Sequence, residues 1–143
     1  MNSNLFYDHD VAVRYIAERT EYPAEMVEKI LIARDDFMYG MGIISPQDEE
    51  DWKRVRAARA IAPSLFPSEA IKRRCSSFDG EAEFIVRATG VRARDVVAII
   101  AEDTAYQAAC GIVDQSMVDG YRSWSSKWVS GHAALNVDIE NQA

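Results

Sequence analysis

Apolar side chains in the first third of the chain fall at Ile16, Ala17, Val27, Ile30, Leu31 and Phe37, mostly three or four positions apart. That spacing follows the 3.6-residue period of a helix with one buried face. Two-residue alternation, the mark of a half-buried strand, is sustained nowhere. The pattern predicts a first helix over about 10–19 with Asp10 as its cap, then a break at Glu21-Tyr22-Pro23. A second, longer helix runs from Pro23 to between Gly40 and Gly42, and a third opens at Ser45-Pro46. The third has an acidic first turn (Asp48, Glu49, Glu50, Asp51) and a basic body (Lys53, Arg54, Arg56, Arg59). That polarity complements the helix dipole and sets up i,i+4 ion pairs.

The same plan returns later in the chain. Residues 15–45 align without a gap onto residues 84–114. The identical pairs are Ile16/Ile85, Thr20/Thr89, Ala24/Ala93, Val27/Val96, Ile30/Ile99, Gly42/Gly111 and Ile43/Ile112. Most are apolar positions, joined by a helix-ending glycine, which is what two copies of one packing unit would keep. The second set of helices is expected over 79–88, 92–110 and 115–129, the last capped by Asp114. The chain is therefore read as all-α, with two tandem related three-helix units at 10–62 and 79–131 packed as one compact helical protein. A connecting segment at 63–78 holds Pro63, Pro67, the basic run Lys72-Arg73-Arg74 and a short helix over 68–75. A tail at 132–143 has little periodicity.

The first two helices of each copy resemble the helix-turn-helix of bacterial DNA-binding proteins. The residues that carry the resemblance are Ile16-Ala17, Thr20, Glu21-Tyr22, Val27 and Ile30-Leu31 in copy one. In copy two they are Ile85-Val86, Thr89, Gly90-Val91, Val96 and Ile99-Ile100. The match spans about 16 residues per copy and consists almost wholly of core positions, so it implies a packing shape. DNA binding would fall to copy two, through Arg87, Arg92 and Arg94, in a regulator acting as a dimer. In copy one the groove-facing positions would include Glu25 and Glu28, which repel phosphate, and Glu21 replaces the turn glycine.

Charge shifts the balance away from nucleic acid. The 143 residues carry 16 basic and 23 acidic side chains, a formal net charge of −7. Copy one holds 8 basic and 11 acidic residues, copy two 5 and 8, so neither is the basic module of a nucleic-acid binder. An acidic chain of this kind binds something basic or avoids nucleic acid. One form of the first option is a DNA mimic of phage or mobile-element type, occupying the groove of a basic nucleic-acid-binding protein. No apolar run is long enough for a membrane span and no signal peptide opens the chain, so a cytoplasmic location is expected.

Candidate chemistry is sparse. The histidines are His9 and His132, and the cysteines Cys75 and Cys110 lie far apart. Asp8-His9-Asp10 is a poor metal site because adjacent residues rarely converge on one ion. No phosphate loop and no nucleophile elbow is present. Cys75 follows three basic residues but lacks a partner histidine, and Cys110 is expected to pack as a small apolar residue. We therefore expect no catalytic residue, no metal and no cofactor. The best contact candidates are Tyr121, Trp124 and Trp128, spaced i, i+3 and i+7 on one helix, together with Trp52. The expected function is a non-catalytic interaction protein, accessory or inhibitory, whose partner is a protein. The alternative is the helix-turn-helix regulator.

Overall fold

A computed structural model describes residues 7–61 and 78–131, with the side chains of 78, 79 and 128–131 excepted. The short helix expected at 68–75 and the tail at 132–143 lie outside the described residues. Among the described residues there are six helices and no strand: α1 (His9–Thr20), α2 (Ala24–Met41), α3 (Glu49–Ile61), α4 (Phe78–Thr89), α5 (Ala93–Ala109) and α6 (Gln115–Gly131). None is long and apolar enough to cross a membrane.

The helix limits follow local chemistry. Asp8, not Asp10, caps α1: its backbone is extended and its carboxylate accepts the Val11 amide at 3.1 Å. The third helix starts later than Ser45-Pro46 suggests. Asp48 Oδ1 accepts the Asp51 amide at 2.9 Å, while Asp51 Oδ2 accepts the Gln47 amide at 2.9 Å. This reciprocal pair outcompetes Ser45 as the start signal, in the manner of a capping box. Asp114 caps α6 as expected, accepting the Met117 amide at 3.2 Å. Hydrogen bonds from Ser116 and Met117 hold the Asp114 carboxyl below its usual range.

The turns after α1 and α4 need a left-handed backbone, as do those at Gly42 and Gly111. Gly90 ends α4 at φ 73°, a conformation glycine adopts without strain. Glu21 ends α1 at φ 63°, where a side chain costs about 1–2 kcal/mol. Glu21→Gly is therefore expected to stabilise the fold by about 0.5–1 kcal/mol, the strain relieved less the added unfolded-state freedom. Urea denaturation of the two proteins checks this, and a destabilised variant would contradict it.

The chain divides into two compact units, and they do not follow chain order. One comprises Met1–Leu31 and Arg92–Ala143, the other Ile32–Val91. In the first unit α5 is the central helix, with α1 and α6 packed against it. Its buried residues run round the helix: Ala93, Val96, Val97, Ile99, Ile100 and Tyr106 among them. Such a helix is core on nearly every side. Rings from the first segment cluster on Tyr106: Tyr7 at 5.4 Å, edge-on, and Tyr15 at 5.2 Å, with the Arg19 guanidinium 4.4 Å from the Tyr15 ring.

In the second unit α3 packs against α4. Val55 and Ala58 are the buried face of α3, and Phe84 and Ile85 that of α4. The Phe37 and Phe84 rings lie tilted at 5.5 Å. Arg54 on α3 pairs with Asp36 at 2.6 Å and lies 4.9 Å from the Tyr39 ring. Arg59 Nε donates to the Gly40 carbonyl at 3.2 Å, satisfying one of the orphan acceptors at the end of α2.

Candidate functional site

The contact residues expected from the sequence divide between the units. Tyr121 and Trp124 sit on α6 of the first unit, both half-buried, their rings edge-to-face at 5.9 Å. The side chain of Trp128 lies outside the described residues. Trp52 sits on α3 of the second unit and is 46 % exposed, directly after Glu49, Glu50 and Asp51. About half of the indole is open to solvent; Val55, three positions on, takes the fully buried place.

The arginines of the DNA-binding alternative also divide between the units. Arg87 ends α4 and pairs with Glu83 at 3.1 Å. Arg92 and Arg94 belong to the first unit; Arg92 is paired with Asp95 at 3.1 Å, and Arg94 is exposed with no ion pair among the described residues. The positions that would follow on the groove side are Asp95, Val97 and Ala98. Asp95 is 4 % exposed and Val97 is fully buried.

The most ordered polar chemistry went unanticipated. Two carboxylates on α5 are buried, Asp95 at 4 % and Asp103 at 2 % exposure. The Tyr22 hydroxyl donates to Asp95 Oδ1 at 2.7 Å, and the Tyr7 hydroxyl donates to Asp103 Oδ1 at 2.7 Å. Gln107 Nε2 is a second donor to Asp103, at 3.2 Å. The sequence signal is weak, since the partners lie 73 and 96 positions apart. These contacts fasten the segment before and after α1 onto α5, and the charge-assisted bonds offset the desolvation of the acids.

Burial, then the Asp95 hydrogen bond, pushes the Tyr22 phenol up to about 12. Unfolded, it ionises near 10. Between those values the unfolded chain releases a proton that the folded chain keeps, so stability falls as pH rises through this window. Below the lower value the contribution is complete and flat. Burial raises the Tyr39 and Tyr106 phenols too, with the same sign. Tyr22→Phe is expected to cost about 1 kcal/mol at neutral pH and to flatten part of the alkaline loss. Urea midpoints measured across the window check this; an alkaline slope identical to the parent's would contradict it.

Among the described residues, metal-ligand atoms meet at one place. His9, Asp10 and Glu28 bring one ligand atom each within 4.8 Å of one another, and His9 Nε2 lies 3.4 Å from Glu28 Oε2. Asp8 is not among them, because its carboxylate caps α1. Asp10 and Glu28 are exposed, so a small cation held there would keep much of its water. Cys110 is buried, and its side-chain hydrogen bond helps raise the Tyr106 phenol; Cys75 and His132 lie outside the described residues. Comparison with protein-family models, with curated proteins and with solved structures returns no match.

Proposed function

We propose that this chain is a non-catalytic interaction protein that binds another macromolecule, in an accessory or inhibitory role. The observation that carries the reading is Trp52, a tryptophan 46 % exposed that follows Glu49, Glu50 and Asp51 in the chain. Aromatic anchors of this kind dominate binding energy at interfaces, and surrounding charge selects the partner. A net charge of −7 favours a basic partner, such as a nucleic-acid-binding protein whose groove the acidic surface would occupy.

The reading includes a duplication, with related three-helix stretches at 10–62 and 79–131. Its support is local geometry recurring at one constant step in sequence. Thr20 Oγ1 donates to the Ile16 carbonyl at 2.7 Å, and Thr89 Oγ1 to that of Ile85 at 2.7 Å. The Tyr22 amide donates to Thr20 Oγ1 at 3.3 Å, and the Val91 amide to Thr89 Oγ1 at 3.2 Å. Gly42 and Gly111 take φ 80° and 78°. Helices from both stretches share the first unit, so the copies would have exchanged packing partners.

The buried groove-side positions of α5 weigh against the DNA-binding alternative, whose test is a titration of labelled duplex DNA at low salt. Weak, salt-insensitive signals are expected. Saturable binding that disappears with added salt, and in Arg92→Ala and Arg94→Ala, would put the regulator reading first.

A further inference from the structure

We infer that a cleft on the first unit is a binding site for a small zwitterion, a molecule carrying both an ammonium and a carboxylate. The cleft has a volume of about 310 Å³ and is lined by residues of α5 and α6, with Thr20 at its edge. Each helix supplies an i, i+3, i+4 face: Ala98, Ala101 and Glu102 from α5, and Arg122, Ser125 and Ser126 from α6. The two alanines leave the space, and the other four side chains supply the chemistry.

Its two charged groups, Glu102 and Arg122, are in no ion pair among the described residues. Glu102 Oε1 is shielded from solvent and accepts no hydrogen bond among the described residues. The Glu102 carboxylate is in no ion pair among the described residues, so it gains from a donor that reaches it from the cleft. Arg122 is exposed and makes no ion pair among the described residues, with Glu102 or with any other acid. A carboxylate and a guanidinium thus line one cleft without meeting. The Thr20 hydroxyl is already committed, donating to the Ile16 carbonyl and accepting from the Tyr22 amide.

The complementary ligand follows. Its ammonium donates to Glu102, its carboxylate accepts from Arg122, and the serine hydroxyls serve either end. A simple anion is repelled by Glu102 and a simple cation by Arg122, so both charges on one small molecule are required. The volume lies at the lower end for ligand sites and fits a molecule of amino-acid size.

The test is a titration of the full chain, followed by amide chemical shifts, with glycine, β-alanine and γ-aminobutyrate. The series widens the separation of the two charges. Acetate and methylammonium serve as singly charged controls. The expected result is saturable shifts confined to α5 and α6 for at least one zwitterion, with a Kd of about 1 mM and the controls at least about tenfold weaker. Arg122→Met, an exposed change that leaves the fold intact, and Glu102→Gln are each expected to weaken binding about tenfold or more. Ala98→Leu is expected to abolish it by filling the cleft. No shifts with any zwitterion up to about 50 mM, acetate binding as tightly as the zwitterions, or undiminished binding in Arg122→Met would overturn the assignment.

Discussion

Glu81→Ala is expected to destabilise the protein by about 3–5 kcal/mol. Glu81 lies in the first turn of α4 and accepts from Arg34 Nε of α2 at 2.8 Å. Both residues are 3 % exposed, within the second unit. Removing the acid leaves a guanidinium in the interior without its carboxylate, and such a charge is far more costly than the pair is stabilising. The carboxylate also sits at the positive end of the α4 dipole, which adds a smaller favourable contribution. Replacing both partners separates the two effects. Arg34→Met with Glu81→Leu is expected to lie within about 1–2 kcal/mol of the parent, on either side, because it removes both charges together. Urea denaturation of the two variants provides the measurement. A single replacement costing no more than the double would show that the pair is open to water.

The second large effect is expected from Phe84→Ala, at about 3–5 kcal/mol. Phe84 is fully buried in the second unit, and its ring lies 5.5 Å from that of Phe37. The loss combines transfer of the ring, the cavity left behind and the ring–ring contact. Phe84→Leu keeps most of the volume and is expected to cost less than about half as much. Phe84 stands one helical turn after Glu81, on the same face of α4. The two replacements are close enough to couple, so Glu81→Ala with Phe84→Ala is expected to depart from additivity. Equal midpoints for Phe84→Ala and the parent would mean that this face of α4 is not core.

How far the sequence discloses this structure depends on how local each cause is. The helical class and most helix limits come from apolar spacing and from turn residues a few positions apart. Pro23 starts α2, Gly42 and Gly90 follow helix ends, and Asp114 caps α6, all through neighbours in the chain. Where two local signals compete, the choice is harder. Asp8 displaces Asp10, and Asp48 with Asp51 displaces Ser45, because each has better hydrogen-bond geometry to the first turn.

Long-range polar pairs leave no such trace. Nothing local marks Arg34 for burial, yet it is buried, while the neighbouring Ile32 is 44 % exposed. The inversion is stable because Glu81 supplies a carboxylate from 47 positions away. Asp95 is similar: its charge suggests surface, and its burial depends on Tyr22 from a distant segment and on Arg92. The contact candidates were legible to a different degree. Aromatic residues can be located in the sequence, but whether each is core or surface is set by what packs beside it. Trp52 is open, and the Tyr121–Trp124 pair is half-buried.

The most direct measurement is affinity capture from host lysate with the full chain and with Trp52→Ser, each with and without nuclease. Trp52→Ser removes a side chain that is half covered and is expected to cost about 1–2 kcal/mol, so urea denaturation first establishes that the variant is folded. The account expects a protein partner, basic in charge, that survives nuclease and is lost or weakened about tenfold or more with Trp52→Ser. Recovery of DNA that vanishes with nuclease and modest salt, or capture indifferent to Trp52, would contradict it.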